Sequence, residues 1–217
     1  MGTGEFINKT LYVGLQGSGK SYAIKKVHME RDPDTFTIDP LNEHPESRFR
    51  YIPKHTDFDG INKEVELAIN NIIIPNCNVL ESKKRYKEAL NTVIFDEADL
   101  YFKSGQKISP IAQSFFVKCR HYMLSNVVSA SRRLMDINYY VRNTADFIVA
   151  FKQSGADDLS ILNKMAKGAD KVMESEIEYG KRNFILFDRS RNFVVMDDYN
   201  ELTKAGPAED WATLTKK

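Results

Sequence analysis

The chain has 217 residues, 31 Lys and Arg against 30 Asp and Glu for a formal charge of +1, and two cysteines. That length suits one sizeable α/β domain; no apolar run is long enough to span a bilayer and no signal-type start is present, so a soluble, intracellular protein is expected. The balanced charge means that any nucleic-acid binding must be local or created by assembly, and the widely spaced Cys77 and Cys119 argue against a disulfide or zinc framework. Residues 1–6 read as a leader outside the fold, 7–205 as one domain, and 206–217 as a polar, loose tail.

In chain order, residues 10–13 form a short apolar run and 22–27 continue with helical spacing. Between them stands Gly14-Leu15-Gln16-Gly17-Ser18-Gly19-Lys20-Ser21, two glycines four residues apart followed by Lys and Ser. A strand, such a loop and a helix together make a phosphate cradle, because the glycines let successive N–H groups turn inward at the positive end of the helix. Lys20 is expected to reach the β and γ phosphates and Ser21 to place a hydroxyl on Mg²⁺. The expected nucleotide contacts are Gly14, Gln16, Gly17, Ser18, Gly19, Lys20, Ser21 and Tyr22.

Asp32-Pro33-Asp34 breaks the first helix, 35–38 and 49–52 read as strands, and 62–73 reads as a helix ended by Pro75. Lys83, Lys84, Arg85 and Lys87 make the densest basic cluster. Residues 91–95 then form an apolar strand ending in Asp96-Glu97. At the carboxyl edge of a parallel sheet, Asp96 can hold Mg²⁺ through its water shell while Glu97 orients and polarises an attacking water. An acidic helix start is the structural alternative for that pair.

Ser109-Pro110 opens a helix that runs to about residue 122, and 126–131 reads as a buried strand ending at Ser131, followed by Arg132-Arg133. Ser131 is expected either to terminate the strand or to sense the γ-phosphate. Residues 135–142 read as a connector, 146–151 as a strand, 158–178 as helix split at Gly168, and 183–187 with 192–196 as a hairpin whose turn exposes Arg189 and Arg191. The scattered histidines show no ligand spacing.

The order of phosphate loop, Asp96-Glu97 strand, Arg120-His121, strand ending at Ser131-Arg132, then Val141-Arg142-Asn143, resembles the HerA/FtsK superfamily of DNA-pumping ATPases. Within it the chain looks like the genome-packaging ATPases of internal-membrane and poxvirus-like double-stranded DNA viruses, with Zot-type phage ATPases, which act in single-stranded DNA extrusion, as the alternative. The resemblance implies an α/β, RecA-like P-loop NTPase of the ASCE type, with a mostly parallel central sheet flanked by helices; the hairpin follows at its C-terminal end. It also implies ATP and Mg²⁺ as cofactors and a ring, a hexamer, that threads DNA into a capsid. A capsid-vertex or membrane protein as partner, and a place in the host cytoplasm or on the virion, go with that reading. Many family members carry Gln where this chain has Ser131.

A ring can insert an arginine across the subunit interface to stabilise the transferred phosphoryl group. Arg142 and Arg132 lead the candidates, before Arg120 and Arg133. DNA contacts are expected at backbone phosphates, through Lys83, Lys84, Arg85 and Lys87 or through the Arg189/Arg191 turn. A small-molecule kinase fits less well, because the Asp96-Glu97 pair suits water activation; a non-hydrolysing switch is the remaining alternative.

Overall fold

A computed structural model describes residues 8–78, 90–122, 124–204, 211 and 213–215. Among the described residues, eight strands form one sheet: β1 (Asn8–Val13), β2 (Thr35–Ile38), β3 (Phe49–Tyr51), β4 (Thr92–Phe95), β5 (Asn126–Ser131), β6 (Phe147–Ala150), β7 (Phe184–Phe187) and β8 (Phe193–Met196). Their spatial order is β3-β2-β4-β5-β1-β6-β7-β8. The first six are parallel, and β7 and β8 complete the sheet antiparallel as a hairpin.

The central strands are continuous apolar runs because both of their faces are covered. Alternate residues enter two cores: Leu11, Val13, Val93, Phe95 and Ile148 face one, and Tyr12, Ile94, Val128 and Val149 the other. Phe95 is the hub of the first, its ring 5.4 to 6.4 Å from those of Tyr101, Phe102, Phe115 and Phe116.

The helices are α1 (Lys20–Ile24), α2 (Phe58–Ala68), α3 (Ile74–Asn78), α4 (Pro110–Lys118), α5 (Tyr139–Thr144), α6 (Ala156–Met165), α7 (Ala169–Ser175) and α8 (Asn200–Lys204). Ser109 caps α4, its hydroxyl accepting from the Ala112 N–H at 3.2 Å, with Pro110 in the first turn where no N–H is needed. Gly168, at φ +88°, separates α6 from α7 as the sequence suggests.

Four expectations are corrected. Pro75 does not end its helix: a π-helical stretch, Ile69–Ile73, joins α2 to α3, and the chain stays helical through Pro75 to Asn78. The wider turn makes an i→i+5 bond, Ile74 N–H to Ile69 C=O, which accommodates a residue without a donor. The expected connector 135–142 contains the start of α5, because Asn138 caps it, accepting from the Tyr140 N–H at 2.9 Å while donating to the carbonyls of Lys103 and Gln106. The tail is not loose where it is described: Trp211 is 1% exposed, against Phe147 and His28, and Thr215 donates to Asp188. The hairpin turn exposes only one of its two arginines: Arg189 is exposed as expected, though paired with Asp146, while Arg191 is half-buried, donating to the Arg142 carbonyl.

The carboxyl ends of β1, β4 and β5 lie side by side, so the turns that follow them open on one edge of the sheet. Gly14 extends β1 by donating to the Ser131 carbonyl at 3.2 Å, and Asp96 extends β4 by donating to Ile38 at 3.0 Å. The basic cluster at Lys83, Lys84, Arg85 and Lys87, and the leader at 1–6, lie outside the described residues.

Candidate active site

The loop 14–19 curls as its glycines permit, with Gly17 at φ +77° and Gly19 at φ +98°. Space is as tight as backbone: a Cβ on Gly14 would stand 2.3 Å from Ser18 Oγ and 2.8 Å from Phe151 Cβ. Ala23 N–H bonds to the Gly19 carbonyl at 2.9 Å, starting α1 directly beyond the loop. Leu15 to Tyr22, with Glu43, Glu97 and Arg132, line a cleft of about 250 Å³.

Lys20 and Glu97 meet in that cleft, Nζ to Oε1 at 3.7 Å, both side chains 6% exposed. The Arg132 guanidinium approaches the other carboxylate oxygen, Nε to Oε2 at 3.1 Å, from a side chain that is 46% exposed. Glu97 itself sits at φ +44°, a left-handed conformation that costs a non-glycine residue about 1 kcal/mol or more. Burial pushes its carboxyl above the ordinary glutamate range; Lys20 opposes that, Asp96 adds to it, and Arg132 opposes it more weakly.

Asp96 is fully buried, with Oδ2 3.0 Å from His44 Nε2 and its carbonyl accepting from the Tyr101 hydroxyl at 2.7 Å. Its Oδ1 is buried without a partner among the described residues, and a buried carboxylate oxygen left so fits a cation ligand. His44 is fixed in turn by Asp39, which accepts from its backbone N–H at 2.9 Å. Although burial alone would lower it, the hydrogen bond and charge of Asp96, with Asp39 and Glu46, raise the His44 pKa.

The remaining expected residues separate clearly. Gln16, Ser18, Ser21 and Tyr22 line the cleft with Lys20. Ser131 does not line it; its hydroxyl donates to the Arg133 carbonyl at 3.0 Å, the bond of a strand end. Arg133 is held by Asp158 at 2.8 Å, and Arg142 is half-buried, donating to the Leu134 carbonyl at 2.9 Å and lying over Tyr139. Among the described side chains, Arg132 is therefore the candidate arginine that reaches the cleft, and it does so in its own chain, at its own Glu97. The side chain of Arg120 is outside the described residues.

Sequence reasoning did not reach His44, Gln153 or Tyr179. Gln153 is buried and donates to the carbonyl of Arg132 at 3.2 Å, which fixes the backbone that carries that guanidinium. Tyr179 donates its hydroxyl to the Gln16 carbonyl at 2.6 Å, closing over the loop from the far end of the chain. These contacts span from 21 to 163 positions, and no local pattern announces them.

No family model and no curated protein matches the chain. Among solved structures it is similar to the genome packaging NTPase B204 of Sulfolobus turreted icosahedral virus 2 in complex with AMP, at 21% identity and TM-score 0.65, covering 88% of this chain and 98% of that one. The DNA-packaging ATPase B204 of Sulfolobus turreted icosahedral virus overlays at 18% identity and TM-score 0.69, covering 88% and 97%. The cytoplasmic domain of the type VII secretion ATPase EccC from Thermomonospora curvata gives 13% identity and TM-score 0.53, covering 88% of this chain and 25% of that one. With the phosphate loop after β1, the acidic pair after β4 and β5 between them, the chain has the RecA-like α/β fold of P-loop ATPases.

Proposed function

We propose that the protein is an ATP-hydrolysing motor that moves DNA, packaging a double-stranded viral genome into a preformed capsid. The observation that carries the hydrolytic part is the meeting of Lys20, Glu97 and Arg132 in the cleft bounded by the phosphate loop. The packaging part is supported by the likeness to the B204 packaging ATPases along nearly the whole of both chains.

In this reading the loop N–H groups and Lys20 hold the triphosphate. Ser21 and Asp96, whose Oδ1 has no partner among the described residues, would hold Mg²⁺, which when bound neutralises charge on the β and γ phosphates. Glu97 then orients a water in line with the γ-phosphoryl group and accepts its proton. A triphosphate attracts Lys20 and Arg132 electrostatically, freeing the Glu97 carboxylate for that water. Arg132 on the phosphoryl oxygens stabilises charge as the bond breaks. Ser131 in this scheme shapes the strand end beside the loop, consistent with its bond to Arg133.

A ring, a hexamer in the preferred form, would place Lys83, Lys84, Arg85 and Lys87 of each subunit toward the DNA phosphates and raise the local positive potential of a nearly neutral chain. A capsid-vertex or membrane protein would anchor that ring, in the host cytoplasm or on the virion. ATP turnover measured with and without double- and single-stranded DNA, together with the mass in solution, tests the reading. Stimulation by duplex DNA is expected; turnover unaffected by either DNA in an assembled ring overturns the motor.

A further inference from the structure

The acidic chemistry lies on one flank of the phosphate loop, toward β5 and β4, because of the strand order. On the other flank, toward β7 and β8, a second cluster takes no part in that chemistry and reaches the cleft through Tyr22. Tyr22, one position beyond Ser21, lines the cleft and is 41% exposed. The Arg182 guanidinium, exposed just before β7, lies 4.8 Å from the Tyr22 ring centroid and 5.7 Å from that of Tyr199. Tyr199, buried, meets Tyr22 edge to face at 5.3 Å and receives a hydrogen bond of 3.3 Å from Arg182.

Tyr199 by itself would suffice to tie the chain before α8 to α1. It leaves unexplained why a large ring and a guanidinium are kept partly open to solvent beside a phosphate cradle, with Tyr179 closing over the loop from the same flank. Rings and guanidinium planes are surfaces on which nucleobases stack, and such stacking needs no base-specific hydrogen bond. A nucleotide whose phosphates lie in the loop extends one ribose beyond it, and Tyr22 is the first side chain past the loop that offers such a surface.

We propose that Tyr22 and Arg182 form a stacking site for the base of a nucleoside triphosphate whose phosphates occupy the loop. The inference rests on the reading of the cleft as a triphosphate site. Tyr199 is the positioning residue, holding Arg182 and Tyr22 in place from the protein side.

Calorimetric titration of the full chain with ATP and, separately, with inorganic tripolyphosphate, both with Mg²⁺, distinguishes the two. In Tyr22→Ala and in Arg182→Ala, ATP affinity should fall roughly tenfold, as expected for a lost stacking partner, while tripolyphosphate binding stays as in the wild type. Tyr22→Phe should retain ATP affinity, because the ring is kept. Unchanged ATP affinity in either Ala variant, an equal loss for both ligands, or a loss in Tyr22→Phe matching that in Tyr22→Ala overturns the base site. Wild-type protein that binds tripolyphosphate but not ATP also overturns the base site and leaves the phosphate reading standing. Wild-type protein that binds neither overturns both.

Discussion

At Gly17 the backbone stands at φ +77°, and a Cβ there would lie 3.0 Å from the Tyr179 hydroxyl oxygen that bonds to Gln16. Gly17→Ala therefore meets a conformation that costs an L-residue about 1 to 2 kcal/mol and pushes Tyr179 off the loop. The expected result is ATP binding weakened by about tenfold, a loss of about 1.4 kcal/mol, with an unchanged circular dichroism spectrum, because the strain falls on the loop and not on the sheet. Glu97→Gln acts at a different step. The amide keeps the shape of the side chain but cannot take a proton from water, so steady-state turnover should fall by roughly 10² to 10⁴ while ATP still binds. Turnover within a few-fold of wild type would reassign Glu97 to a structural role as the left-handed turn after β4.

The π-helical turn Lys25–Met29 that continues α1 carries His28 into the second core, where its Nε2 is 3.0 Å from the Tyr12 hydroxyl and its ring lies beside Trp211. Burial, helped by Arg31, lowers the His28 pKa from 6.5 to about 3. An unfolded chain takes that proton near pH 6.5 and the folded chain only near 3, so between the two the unfolded state binds more protons. Stability from His28 is thus complete above pH 6.5 and is lost as the pH falls, at a limiting slope of about 1.4 kcal/mol per pH unit. His28→Gln, which keeps a polar partner for Tyr12, should flatten the decline of the urea midpoint between pH 6 and 4. Trp211 is the single tryptophan and is buried, so its emission reads the transition directly.

The same corner marks where the sequence was legible and where it was not. The phosphate loop and Asp96-Glu97 could be found because each is a short pattern whose chemistry is set by neighbours in the chain, and seven of the eight strands were expected within one residue at each end because a buried parallel strand is a local apolar run. The exception, β1, begins at Asn8, ahead of the apolar run from which it was read. Trp211 looked like part of a polar tail because its partners, His28 and Phe147, are remote in sequence. α5 was hidden because its signal is the Asn138 cap, whose amide also binds two carbonyls of the 103–106 loop. Pro75 misled because the rule that proline ends a helix assumes α geometry, and the π turn before it relaxes that rule.

At the scale of the whole molecule, the question that the proposed ring raises is which subunit would supply the arginine to a given site. From sequence, Arg142 and Arg132 both suit an insertion across an interface. Removing Arg142 from its place costs its bond to Leu134 and its cover over Tyr139, whereas Arg132 is exposed and already touches the Glu97 of its own chain. Arg132 should therefore act in cis, and a mixing experiment separates the cases. Arg132→Ala and Glu97→Gln subunits, each inactive alone, are combined before assembly. If the guanidinium acted across the interface, some sites in mixed rings would hold an intact Glu97 facing an intact Arg132 from the neighbour, and turnover would reappear. With Arg132 acting on its own chain's site, every site lacks one of the two groups whatever the mixture, and turnover stays at the level of the separate variants. Recovery on mixing would show that the contact between Arg132 and Glu97 is remade between subunits when the ring forms.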